Sequence, residues 1–124
     1  MIIVVTGDRH WTNAARIREV LSALKAELGE FLLIEGGARG ADTICWNECS
    51  GLRIKTETVW PDWRTHGQKA GPIRNRLMLD RSPALVVAFH NDLAHSRGTK
   101  DCVTEAKRRG IPVRVFTEMG EVTG

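Results

Sequence analysis

The residues of this chain best suited to chemistry fall on a few short, glycine-rich stretches. One is Gly36-Gly37-Ala38-Arg39-Gly40-Ala41-Asp42, placed between an apolar run and a helical pattern. Glycines there let backbone N–H groups approach a phosphate, and a helix start behind them adds favourable partial charge. Arg39 supplies a guanidinium suited to a bidentate contact. The same glycines also serve a tight turn with close helix–sheet packing, and Glu35 stands where a dinucleotide fingerprint would put its first glycine.

Three further stretches share this character. Gly7-Asp8-Arg9-His10-Trp11 leaves the first apolar run, and Gly67-Gln68-Lys69-Ala70-Gly71-Pro72-Ile73-Arg74-Asn75 opens a helix with two cations and an amide donor. Ser96-Arg97-Gly98-Thr99 offers a hydroxyl and N–H groups at another helix start, where Thr99 also reads as a simple cap. All four histidines (His10, His66, His90, His95) and three tryptophans (Trp11, Trp60, Trp63) lie on these segments or beside them. Trp63 is the aromatic best placed to stack on a base, although Trp60 and Trp63 equally suit closing the crevice. Trp46, mid-helix, is expected in the core or at a subunit contact. The histidines read as exposed or satisfied loop residues, with no metal-binding spacing, and neither a nucleophile elbow nor a Walker motif occurs.

Composition narrows the class. Among 124 residues, 42% are hydrophobic and 27% charged, as in a globular domain, and no stretch approaches the roughly 20 apolar residues that span a bilayer. The apolar start after Met1 reads as a strand rather than a signal core, so a cytoplasmic location is expected. Cys45, Cys49 and Cys102 form an odd set that suits a reducing compartment and burial. A net charge of +3 is compatible with an anionic partner.

Positioning these loops requires a particular architecture. Apolar runs at residues 2–6, 31–35, 54–59, 84–89 and 112–116 alternate with helical patterns, and most are nearly continuous, as in strands buried on both faces. The third, with Lys55 and Glu57 alternating outward, suits an edge. Ile17, Val20, Leu21, Leu24 and Leu28 recur at helical spacing, with Thr12 or Asn13 as cap and Gly29 as stop. A second helix is expected over 41–50, ending at Gly51; Pro72 opens a third; Thr99 caps a fourth over 101–109, stopped at Gly110. The expected fold is α/β: a single Rossmann-like domain over 1–124, with a doubly wound parallel sheet of about five strands in the order 3-2-1-4-5, flanked by helices. Ligands bind outside the carboxyl ends of such strands, where these loops gather.

Taken in order, Gly7-Asp8-Arg9-His10-Trp11, Gly-Gly-Ala-Arg-Gly-Ala-Asp at 36–42, Pro61-Asp62-Trp63, Lys69-Ala70-Gly71-Pro72-x-Arg74-Asn75-x-x-Met78 and Gly98-Thr99 resemble the YspA-like SLOG family. That family falls in the Rossmann-like group that includes the DNA-processing protein DprA and the LOG phosphoribohydrolases. The resemblance implies a parallel sheet and a nucleotide-type ligand at the loop rim. LOG enzymes carry a P-G-G-x-G-T-x-x-E loop whose glutamate serves cleavage of a base–ribose bond. Cys102 occupies that glutamate position here, so the resemblance does not bring the activity with it.

The expected function is therefore binding of a nucleotide or nucleotide-derived signalling ligand by a sensor or sequestering protein. The expected ligand-binding residues are Gly7, Asp8, Arg9, Gly36, Gly37, Arg39, Gly40, Asp42, Trp63, Lys69, Gly71, Arg74, Asn75, Gly98 and Thr99. Arg9, Arg39, Lys69 and Arg74 would receive phosphates, and Asp42 or Asn75 would meet sugar or base groups. No catalytic residue, cofactor or metal is assigned. A hydrolase of N-glycosidic or phosphate bonds, using Asp8, Asp42 or Asp101, is the alternative. Single-stranded nucleic-acid binding ranks behind it, for want of a long basic run. A symmetric homo-oligomer is expected.

Overall fold

The computed structural model describes residues 1–122. A six-stranded sheet runs through it, with β1 (Ile2–Gly7), β2 (Leu32–Glu35), β3 (Lys55–Thr58), β4 (Leu85–Phe89), β5 (Val113–Phe116) and β6 (Glu121–Val122) in the order β3-β2-β1-β4-β5-β6. The first five strands are parallel, as expected, and half-buried β3 forms one edge. The sixth is an addition: β6 turns back antiparallel to β5 through a tight loop closed by Thr117 N–H donating to the Gly120 carbonyl at 2.8 Å. Two 2.8 Å bonds from Arg114 to Glu121 tie that hairpin.

The strands bury both faces. Ile3, Val5, Leu33, Val87 and Phe89 point to one side and pack with Ile17, Val20, Leu21 and Leu24 of α1 (Ala14–Leu28) and Cys45 and Cys49 of α2 (Ala41–Leu52). Val4, Ile34 and Val86 point to the other, against Met78 and Leu79 of α4 (Ala70–Leu79) and Cys102 and Ala106 of α5 (Gly98–Arg108). Each fully buried aliphatic side chain stabilises the fold by roughly 1.5–3 kcal/mol. Alternate residues feeding opposite layers make the sheet doubly wound.

Helix ends follow the sequence in part. Asn13 caps α1 by accepting the Arg16 N–H at 3.0 Å, and Gly29 ends it. Gly51 does not stop α2: the helix runs through it to Leu52, and Arg53 takes the left-handed conformation that closes it. Lys25 supports that end, its Nζ donating to the Leu52 carbonyl at 2.7 Å. Thr99 does not cap α5 but lies buried inside its first turn; Ser96 does the capping, its hydroxyl accepting the Lys100 N–H at 3.0 Å. One short helix escaped the sequence reading, α3 (Trp63–His66), capped by Asp62 accepting from Thr65 N–H at 3.1 Å. Trp46 is 52% exposed, which removes it from the core, whereas Trp11 is buried edge-on against Phe89. No helix among the described residues is long and apolar enough to cross a membrane.

Candidate functional site

The chain leaves β1 and β4 toward opposite faces of the sheet, so the loops after these adjacent strands part and open a crevice between them. A cleft of about 500 Å3 lies there, of the size that holds small-molecule ligands. Its floor is Thr6 and Gly7 at the end of β1. One wall comes from Asp8, Arg9 and His10, another from Ala38, Asp42 and Arg74, and a third from His90 and residues 95–99.

The first wall is held rigidly. Asp8 N–H donates to the Phe89 carbonyl at 2.9 Å, fixing the loop to β4, while the Asp8 carbonyl accepts from Trp11 at 3.1 Å and Ala41 at 3.0 Å. Gly40 makes that last approach possible. Its φ is +74°, and a Cβ there would lie 2.3 Å from the Asp8 carbonyl oxygen. Asp8 Oδ1 accepts from His10 N–H at 2.9 Å, and Arg9 is left exposed at the cleft.

The glycine loop is wired differently from the expected phosphate cradle. Gly36 and Ala38 donate their N–H groups to Asp42 Oδ2, at 3.1 and 3.3 Å, and Gly37 N–H goes to the Glu35 carboxylate, which also takes the Thr58 hydroxyl. Two buried carboxyl groups thus take up the amides that were expected to face a ligand. The Gly36 carbonyl accepts from the Arg74 guanidinium, and Gly37 lies under the Trp60 ring. Gly36, Gly37, Arg39 and Gly40 stand behind or beside the cleft rather than lining it; Ala38 and Asp42 reach it.

Asp42 is the most perturbed group there. It is 5% exposed, and burial pushes its carboxyl up to about 7, helped by the negative charge of Glu35 and opposed by the Ala38 and Gly36 amides and Arg74. Its Oδ1 has no hydrogen-bond partner among the described residues.

Asn75, another expected ligand contact, is spent on structure. Its amide donates to the Gly98 carbonyl at 3.2 Å and Asp101 at 3.0 Å, and its oxygen accepts from Arg74 Nε at 2.9 Å. This buried side chain staples α4 to the start of α5 and aims Arg74 at the cleft. Trp63, Lys69 and Gly71 lie away from the cleft lining, at the entry to α4, with Trp63 55% exposed.

The third wall offers donors. Gly98 and Thr99 head α5, where amides have no intrahelical acceptor and carry the positive end of the helix dipole. Arg97 stands beside them. His90 Nδ1 accepts from Asp92 N–H at 2.9 Å, so a neutral ring carries its proton on Nε2. His95 Nδ1 lies 2.8 Å from Asp92, whose carboxyl this contact holds below its usual range.

His10, His90, His95, Ser96 and Arg97 were not among the residues assigned to the ligand. The expected strand order held the signal, because it alone ranks the loops after the first and fourth strands above the one after the third. Cys102 faces the core instead, and burial pushes its thiol up to about 12. Among the described residues no group of three or more His, Cys, Asp and Glu could hold a metal ion.

Comparison with known proteins agrees with this architecture. The sequence model of the YspA, cpYpsA-related SLOG family matches residues 1–66. The Gene 61 protein of Mycobacterium phage D29 is 35% identical over 120 residues, covering 92% of this chain and 94% of that protein. DNA processing protein A (DprA) from Streptococcus pneumoniae superposes on 93% of this chain with a TM-score of 0.70 and 18% identity. The chain spans only 49% of that DprA chain. The structural-genomics target TM1055 gives a TM-score of 0.63 at 20% identity, over 90% of this chain and 71% of its own. These two structures share the fold, and the family match with the phage relative supplies the kinship: this chain belongs to the YspA, cpYpsA-related SLOG family.

Proposed function

We propose that the cleft binds a nucleotide or nucleotide-derived ligand, and that the protein acts as a sensor or sequestering protein for it. One observation carries this reading: Arg9, Arg74 and Arg97, from three separate elements, converge with the N-terminus of α5 on one cleft of about 500 Å3. Three guanidiniums and oriented amides suit a phosphate, while the volume suits a mononucleotide-sized body. In this reading the phosphate meets Gly98, Thr99 and Arg97, and Arg9 and Arg74 flank it. Arg39, Lys69 and Trp63 make no contact with a ligand of that size.

The test is to denature purified protein, identify any released small molecule by mass spectrometry, and follow thermal unfolding with nucleotides, cyclic nucleotides and ADP-ribose derivatives. Ligand at a hundred times its Kd adds about 2.7 kcal/mol, which reads as a rise of several degrees. No released molecule and no stabilisation by any of these compounds would overturn the reading.

A second reading is favoured by Asp42. A carboxyl raised to about 7 in a cleft is poised for general acid–base work, so hydrolysis of an N-glycosidic or phosphate bond is the alternative. Product formation by wild-type protein that disappears in Asp42→Asn would establish it.

A further inference from the structure

Asp42 lines the cleft, and its Oδ1 is a buried atom that the fold leaves unpartnered. The other oxygen of the same carboxylate takes two amides, from Gly36 and Ala38, whereas Oδ1 has less than 1 Å2 of accessible surface and no partner among the described residues. A buried acceptor left unmade is costly, so it marks a place where a donor belongs. The side chain is 95% buried, yet it lines the cleft.

The neighbours decide what kind of donor. Glu35 on β2 adds negative charge beneath Asp42, which disfavours a phosphate at this end. Phosphate is better served at the α5 wall, by Arg97 and the Gly98 and Thr99 amides. The part of the ligand at Asp42 is then uncharged and adjoins the phosphate. In a nucleotide that part is the sugar. A planar base edge needs a broad approach, whereas a single rotatable hydroxyl asks for the smallest opening toward an atom this deeply set. Asn75 is excluded as the reader of that hydroxyl because its amide is committed to Gly98 and Asp101.

We propose that Asp42 Oδ1 is the specificity-determining contact of the cleft and accepts a hydrogen bond from a sugar hydroxyl, so that ribosyl phosphates bind in preference to their deoxyribosyl counterparts. This rests on the nucleotide reading above and assigns its sugar contact. The groups facing the carboxylate are Glu35 from β2, Arg74 from α4, Cys45 one turn along α2 and Cys102 from α5. With Asp42 ionising near neutrality, the charged acceptor forms at higher pH and strengthens the bond. The ratio of ribo to deoxy affinity therefore grows from pH 6 to pH 8.5.

The experiment is calorimetric titration of wild-type protein and Asp42→Asn with ribose 5-phosphate, the four ribonucleoside monophosphates, and their 2′-deoxy and 3′-deoxy counterparts. In wild type one deoxy series is expected to bind about tenfold to a hundredfold more weakly, as loss of a hydrogen bond to a charged acceptor implies. In Asp42→Asn the amide oxygen can keep the Gly36 and Ala38 bonds while an NH2 group replaces the charged acceptor, so at most a weaker neutral bond to the hydroxyl is left, the ratio falls and it no longer changes with pH. Should that variant not fold, the wild-type ratio and its rise with pH still decide the matter. Equal binding of ribo and both deoxy series by wild type overturns the Asp42 contact and leaves the nucleotide cleft standing. Full preference retained in a folded Asp42→Asn overturns it too. Binding of none of these compounds overturns both.

Discussion

Asp42, in the first turn of α2, accepts the Gly36 amide at 3.1 Å, a hydrogen bond that runs six residues back along the chain. It turns a loop that reads as a phosphate cradle into a closed turn satisfied by its own carboxylate. In the proposed function the phosphate accordingly belongs at the far wall, where α5 begins. The same carboxyl group leaves its other oxygen buried and without a partner among the described residues.

The Asp42 proton couples stability to pH. Its folded value of about 7 lies above the ordinary 3.8, so the folded protein holds this proton more tightly than the unfolded chain does. The stability it contributes is full below about pH 4 and is lost as pH rises through about 7, at about 1.4 kcal/mol per unit within that window. Denaturant unfolding of wild type and Asp42→Asn at pH 5, 6, 7 and 8.5 should show wild type losing ground until about pH 7.5 and then levelling. A difference that does not move with pH would contradict the assignment.

Arg9 and Arg97 are exposed at the cleft and have no part in the core. Arg9→Gln and Arg97→Gln should each weaken binding of a phosphate-bearing ligand by about tenfold, the worth of one charge-assisted bond. Unfolding free energies should stay within about 0.5 kcal/mol of wild type, as for other surface changes. Titration with whichever nucleotide gives the largest thermal shift reads the first effect and urea unfolding the second.

Two glycines separate folding from binding. Gly40→Ala places a methyl 2.3 Å from the Asp8 carbonyl at positive φ, and should cost more than about 1 kcal/mol of stability. Gly98 has no heavy atom within 4 Å of an added Cβ, so Gly98→Ala should fold as well as wild type. Its methyl stands at the head of α5, where the ligand phosphate is proposed to sit. Unchanged ligand affinity in Gly98→Ala would move the phosphate elsewhere.

Asn75→Ala breaks the staple between α4 and α5. Loss of its three hydrogen bonds should destabilise the protein by about 2–3 kcal/mol, since Asn75 is itself buried and each of its three part-buried bonds is lost. Amide exchange at the first turn of α5 should quicken more than exchange in β1, because α5 loses its anchor while the sheet does not.

Cys45, Cys49 and Cys102 are buried free thiols, and burial pushes Cys49 and Cys102 up to about 12. A thiol reagent at pH 8 should therefore label almost none of the native protein within minutes and all three cysteines in denaturant. Rapid native labelling of Cys102 would reopen a chemical role at the position where LOG enzymes carry glutamate.

Much of the scaffold was legible in the chain. Continuous apolar runs such as Leu85–Phe89, alternating with helical patterns, point to strands buried on both faces of a parallel sheet, and the spacing of Ile17, Val20, Leu21 and Leu24 fixes the face of α1. The pairing of Glu121–Val122 was not, because a two-residue strand has too short a pattern to show a period. Gly51 misled because a glycine stops a helix only where the chain turns left-handed, and here Arg53 makes that turn.

The candidate site divides along the same line. Strand–helix alternation puts every βα loop on one rim, so the residue types that gather at the carboxyl ends of the strands are readable from the chain. Which of them face one another is set by the packing of the loops in three dimensions. Gly36 and Asp42, or Asn75 and Gly98, are ligand contacts or internal partners depending on whether a carboxylate or amide folds back onto a neighbouring amide or carbonyl. That choice is set by distances of about 3 Å between loops, and local sequence patterns do not encode them.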